Sequence, residues 1–182
     1  NHMLQCFYPD KYIVSTYQIN FDRLYGQGYR GIIFDIDNTL VEHGAPADER
    51  SIALFRHLKE LGFHIMLLSN NKEPRVKMFN DAVQVQYLFK AGKPGKAGYE
   101  QAMQKMGCDA GNTLFVGDQL FTDVWGARRC GIYSILVQPI AKHEEIQIVL
   151  KRYLEKIVLA SYRRTCRKQG RTFLYEEDRD AD

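Results

Sequence analysis

At 182 residues, with hydrophobic side chains forming 45% of the chain, the sequence is sized for one domain with a sizeable core. A formal net charge of +3 is too mild to argue for a nucleic-acid partner. No apolar run approaches the ~20 residues that cross a bilayer, which excludes a spanning helix and sets the expectation of a cytoplasmic protein, peripheral to a membrane at most. Cys6, Cys108, Cys130 and Cys166 lie far apart with no Cys-x-x-Cys pair, which excludes a zinc knuckle or a redox motif.

Asn1-His2 before Met3 reads as a tag remnant, and residues 3–170 as the single domain. Short apolar runs then alternate with helix-patterned stretches, the pattern of βαβ units on a parallel sheet. Gly31 to Ile36, Phe63 to Leu68, Val85 to Phe89, Thr113 to Val116 and Tyr133 to Val137 read as strands. Asp48 to Leu61, Glu73 to Ala82, Lys96 to Met106 and Phe121 to Cys130 read as helices. Asp48 is placed as an N-cap and Pro74 in a first turn, where its missing N–H costs nothing. Gly62, Gly107 and Gly131 follow helical stretches, where a left-handed cap is commonly required. From about His143 a final helix is expected. Its Ile146, Val149, Leu150, Tyr153, Leu154, Ile157 and Val158 form one apolar face that should pack on the sheet. The charged residues 171–182 read as a loose tail.

The stretch Gly31 to Val41 runs from a buried-strand pattern directly into Asp35 and Asp37. In open α/β sheets that edge, beyond the carboxyl ends of the strands, is where ligands bind. A second acidic pair, Asp118 and Asp123, follows the fourth strand, with Gly117 letting the backbone pass close by. Carboxylates gathered this way repel unless a cation joins them, and Mg²⁺ accepts a few carboxylate oxygens together with water and phosphate. Ser69 and Asn70 end the second strand, where a hydroxyl and backbone N–H groups suit phosphate oxygens. Lys93, before Pro94, offers an ammonium to a developing negative charge, with Lys90 and Lys96 as rivals for that role.

These motifs, in this order, resemble the haloacid dehalogenase (HAD) superfamily: Asp35-Ile-Asp37-Asn38-Thr39-Leu40-Val41, then Ser69, then Lys93-Pro94, then Gly117-Asp118 with Asp123. More narrowly, Leu-Ser-Asn-Asn and Gly-Asp-Gln-x-x-Thr-Asp resemble the capless YqeG-type phosphatases. The resemblance implies a three-layer Rossmann-like fold, with a mostly parallel five-stranded sheet, helices on both faces and no cap domain.

It further implies Asp35 as nucleophile, Asp37 as general acid and base, and Ser69, Asn70, Thr39 and Lys93 around the phosphate. Mg²⁺ would be held by Asp35, the Asp37 carbonyl and Asp118, with Asp123 behind them. An Asp two residues after the nucleophile favours phosphoryl transfer over carbon–halogen cleavage. The spacing leaves no room for a cap, and in this the chain resembles relatives that dephosphorylate macromolecules or lipid head groups, so the expected partner is a phosphorylated protein, lipid head group or small molecule. The same resemblance extends to phosphatidylglycerophosphate phosphatases, and the basic final helix is a candidate for a membrane surface.

Two other classes fit less well. A phospho-acceptor receiver module needs its acidic residue after the third strand, where Val85 to Phe89 leads to none. A non-catalytic RNA- or ribosome-binding protein, using Arg163, Arg164, Arg167 and Lys168, leaves Asp35 and Asp37 without a purpose.

Overall fold

Six strands form one parallel sheet in the computed structural model, which describes residues 2–141 and 146–179. They are β1 (Lys11–Ile13), β2 (Gly31–Phe34), β3 (His64–Leu68), β4 (Gln86–Leu88), β5 (Thr113–Gly117) and β6 (Tyr133–Val137). Their spatial order is β1-β6-β5-β2-β3-β4, every neighbouring pair parallel. All five expected strands are present. The sixth, β1, lies in the tyrosine-rich start and is too short to show a period of its own; pairing of Lys11–Ile13 with Ile135–Val137 holds it in place. After β4 the chain crosses to the other side of β2, so the carboxyl end of β2 is a switch point of the topology.

Six α-helices accompany the sheet among the described residues: α1 (Phe21–Gly26), α2 (Glu49–Leu61), α3 (Glu73–Val83), α4 (Lys96–Met106), α5 (Trp125–Arg129) and α6 (Ile146–Lys168). The helix expected from Phe121 is in fact a π-helical turn, Leu120–Val124, that runs into α5. Asp48 caps α2 reciprocally: its carboxylate accepts the Ser51 N–H at 2.8 Å, and Ser51 Oγ accepts the Asp48 N–H at 3.0 Å. Gly62 and Gly107 end α2 and α4 at φ 109° and 68°, a region that side chains with a Cβ disfavour.

Alternation along the strands divides the core. Ile32 and Phe34 of β2 face one layer, with Leu67, Val116 and the α2 and α3 residues Phe55, Leu58, Val76 and Phe79. Ile33 faces the other, with Met66, Phe115 and the α4 residues Tyr99 and Ala102. Burying one such side chain contributes roughly 1.5–3 kcal/mol. No described helix is long and apolar enough to cross a membrane.

Two expectations are corrected. Most of the expected inner face of α6 points outward: Val149, Leu150, Tyr153, Leu154 and Ile157 are 51–70% exposed, and Val158 alone of the expected residues with described side chains is buried, beside Glu155, Tyr162 and Cys166. Val158, Tyr162 and Cys166 pack on Tyr8, Tyr12, Leu120, Val124 and Leu136, so α6 covers the β1–β6 flank with its opposite face. The side chain of Ile146 and all of His143 lie outside the described residues. Nor are residues 171–179 loose. Tyr175 bridges Ile13 and its N–H donates to the Tyr12 carbonyl at 2.9 Å, while Asp178 pairs with Lys11 and, at 2.7 Å, with Arg23. Among the charges that suggested a solvated tail, Asp178 serves as the anchor. Residues 180–182 lie outside the described set.

Candidate active site

The ladder of β2 continues one residue past its end, where the Asp35 N–H donates to the Val116 carbonyl at 3.0 Å. That fixes Asp35 at the carboxyl edge of the sheet, beside the end of β5. There Asp35, Asp118 and Asp123, all buried, each offer a carboxylate oxygen, and these oxygens lie within 4.8 Å of one another. Thr39 closes the first turn after Asp35 and joins the cluster. Its hydroxyl donates to Asp118 Oδ1 at 3.1 Å and stands 3.4 Å from Asp35 Oδ2. Gly117 is required by close approach: a Cβ there would stand 2.6 Å from Asp123 Oδ2.

Of the three candidate lysines, Lys93 is the one that enters this cluster. Buried at 7% exposure, its ammonium donates to Asp123 Oδ1 at 2.8 Å and to Asp35 Oδ1 at 3.0 Å. Lys90 and Lys96 are exposed. Burial opposes the Lys93 charge, but Asp123 and Asp35 outweigh it and raise its pKa. Asn70 holds the Lys93 backbone from both sides: Oδ1 accepts the Lys93 N–H at 2.8 Å, and Nδ2 donates to the Lys93 carbonyl at 3.1 Å. Ser69 is buried at the end of β3, and its Oγ accepts the Asn71 N–H at 3.0 Å.

Asp37 stands apart from the three clustered carboxylates. Its side chain is directed to the start of α3, where Arg75 donates to Oδ1 at 2.9 and 3.1 Å and Asn71 donates to Oδ2 at 2.6 Å. The Gly44 N–H adds a further bond at 2.8 Å.

The cluster is short of positive charge. Burial pushes the Asp35 carboxyl up to about 7, with Lys93 lowering and Asp118 raising it. Burial likewise pushes Asp118 up to about 6, with Asp123 raising and Arg152 lowering it. Asp123 is also raised to about 6 by burial, against the pull of Lys93. Three buried carboxylates facing two cations suit a hard divalent ion with oxygen ligands.

A family model described as HAD-hydrolase-like matches residues 90–147. "Probable phosphatase YqeG" of Bacillus subtilis is 35% identical over 159 residues, which cover 87% of this chain and 92% of that protein. The chain belongs to the YqeG-type phosphatases of the HAD superfamily. Its similarity reaches "Phosphatidylglycerophosphate phosphatase 1, chloroplastic/mitochondrial" of Arabidopsis thaliana, 27% identical over 82% of this chain; the chain spans 45% of that protein's length. In fold it is similar to the cobalt-bound deoxy-D-mannose-octulosonate 8-phosphate phosphatase of Haemophilus influenzae, with a TM-score of 0.51 and 14% identity over 74% of this chain and 89% of that one.

The segment from Val41 to Asp48 is a loop, and only α3 and β4 lie between Ser69 and Lys93, so neither interval carries a cap domain.

Sequence reasoning missed Arg152. It reaches from α6 to Asp118, donating to Oδ2 at 2.5 Å and to the backbone carbonyl at 2.6 Å. Glu155, one turn on and buried, accepts from the same guanidinium at 3.2 Å. The available signal was that Glu155 is the lone acid within Ile146–Lys168, three residues from an arginine. Arg75 and Asn71 were missed as well, because nothing in their spacing ties them to Asp37.

Proposed function

We propose that this phosphatase hydrolyses phosphomonoesters with Mg²⁺ through an aspartyl-phosphate on Asp35. The observation that carries the reading is the buried set of Asp35, Asp118 and Asp123 with Lys93 between two of them. An Asp35 oxygen attacks phosphorus, forming a new O–P bond as the ester P–O bond breaks, and Asp37 gives its proton to the departing alkoxide. Asp37 then takes a proton from the water that displaces phosphate from Asp35, which restores both carboxyl groups.

Arg75, Asn71 and the Gly44 N–H hold the Asp37 side chain at the start of α3, and its part in the proton transfer requires it to leave these donors and turn to the ester oxygen. Lys93, fixed by Asp123 and by Asn70, offsets charge on the transferred group. The Ser69 hydroxyl, Thr39 and the backbone around Asn70 surround the phosphate. Asp35, the Asp37 carbonyl and Asp118, with Asp123 behind them, would hold Mg²⁺, which when bound would supply charge neutralisation.

An uncapped site fits a phosphate carried on a protein or a lipid head group. The relatives named phosphatidylglycerophosphate phosphatases favour the lipid within that pair. A Mg²⁺-dependent hydrolysis screen over phosphopeptides, nucleotides, sugar phosphates and phosphatidylglycerophosphate tests the reading. Asp35→Asn is expected to lose at least about a thousandfold in rate and to trap no phosphoenzyme. Equal hydrolysis by wild type and Asp35→Asn would remove Asp35 from its role.

A further inference from the structure

We infer that the outward face of α6 is a docking surface for an anionic lipid bilayer, set so that the bilayer meets the catalytic edge of the sheet. Val149, Leu150, Tyr153, Leu154 and Ile157 recur at three- and four-residue spacing and are all more than half exposed. They share the side of the helix opposite Glu155, Val158, Tyr162 and Cys166, which face the domain. Five adjacent apolar side chains form a patch of the kind that marks an interaction site.

Charge selects the occupant. Within Ile146–Lys168 there are seven cations, Lys151, Arg152, Lys156, Arg163, Arg164, Arg167 and Lys168, and one acid, Glu155, which is buried. Past Ile157 the outward face turns basic, with Arg164, Arg167 and Lys168 exposed. Arg163, Arg164, Arg167 and Arg171 line an open cleft of about 650 Å³ that is floored by Leu159 and Phe173. A second copy of the chain would set this basic half against its own like charges. Nucleic acid would satisfy the cations and leave the apolar half in water. A bilayer surface satisfies both, taking apolar side chains roughly 5–10 Å deep into the boundary while head-group phosphates pair with lysine and arginine.

The same face adjoins the site. Val149 and Tyr153 line a cleft of about 420 Å³ with Pro139 and Ala141, and the Ala141 N–H donates to Asn38 Oδ1 at 3.3 Å in the loop that carries Asp35 and Asp37. Arg152, on the wall of that cleft, bonds Asp118. In this orientation the proposal rests on the phosphatase reading above; the docking itself does not require turnover.

The test is co-sedimentation of the full chain with vesicles of mixed phosphatidylglycerol and phosphatidylcholine, beside vesicles of phosphatidylcholine alone, with p-nitrophenyl phosphate hydrolysis followed separately. Wild type should sediment with the mixed vesicles, weakly with the neutral ones, and less as salt rises. The double variant Leu150→Ser with Leu154→Ser should bind about tenfold more weakly at unchanged thermal midpoint and unchanged p-nitrophenyl phosphate hydrolysis. Arg164→Glu with Arg167→Glu should lose the preference for anionic vesicles. Failure to sediment, or a concentration-dependent dimer that the serine variant dissolves, overturns the docking surface. Vesicle binding by a chain that hydrolyses no phosphomonoester leaves the surface standing and removes the enzymatic reading.

Discussion

The carboxyl edge of the sheet and the helix α6 show opposite relations between sequence pattern and position. At the edge, polar residues follow apolar strands, and they stand where such residues gather: Asp35 after β2, Ser69 after β3, Lys93 after β4 and Asp118 after β5. On α6 the apolar stripe points outward, and the side that carries Arg152 and Glu155 turns inward. A strand end fixes where its next residue goes because the hydrogen-bond ladder fixes the strand. A helix period shows that two faces differ, and leaves open which of them is covered.

Arg152 is where the two regions meet, and among the changes that test the contrast between them the largest effect is expected there. Arg152→Met removes the donor to Asp118 Oδ2, and loss of a partner that orients a metal ligand typically costs 10–100-fold in affinity. Calorimetric titration with Mg²⁺ should show that loss, and activity should recover as Mg²⁺ is raised. An unchanged Mg²⁺ affinity would detach α6 from the site.

The acidic cluster also sets a pH dependence. Because burial raises Asp35, Asp118 and Asp123 above the ordinary carboxyl value, the folded chain binds protons that the unfolded chain has released. In EDTA, stability from this source is full below about pH 4 and is lost as pH rises through about 6 and 7. Mg²⁺ should therefore raise the thermal midpoint more at pH 8 than at pH 5. Equal shifts would mean that the ion binds elsewhere.

Asp178 has the opposite sign. Burial opposes its charge, but Lys11, the Asn20 N–H and Arg23 hold its carboxyl below the usual range. The strap it anchors gains stability above about pH 4 and loses it as pH falls. Asp178→Asn should cost about 1–2 kcal/mol at neutral pH, allowing for solvent screening, with a denaturation midpoint that no longer moves between acid and neutral pH as far as wild type.

Much of this architecture was legible because it depends on short-range rules. Five strands, the Asp48 cap, the glycine helix ends and the convergence of Asp35 and Asp118 follow from periodicity and from which residues stand at strand ends, while the resemblance to the family favours Lys93 over Lys90 and Lys96 and places Asp123 behind the others. The rest needed contacts between residues far apart in sequence. β1 exists because Ile135–Val137 offers it a ladder. The strap at 171–179 folds because Tyr175 and Asp178 find Tyr12, Lys11 and Arg23 some 160 positions away. Asp37 is bound by Arg75, a residue of the next helix but one. Asn70, expected around the phosphate, has its side chain on the Lys93 backbone.

The smallest expected effect divides the two faces of α6 most sharply. A buried apolar side chain cut back to alanine loses its contacts and leaves a void, so Val158→Ala should cost about 2 kcal/mol. An exposed one has few protein contacts to lose, and Leu154→Ser should change stability by no more than about 0.5 kcal/mol. Denaturant midpoints for the pair measure the contrast directly. If Leu154→Ser costs as much as Val158→Ala, the stripe is covered within the protein itself, and the face assigned to solvent belongs to the core.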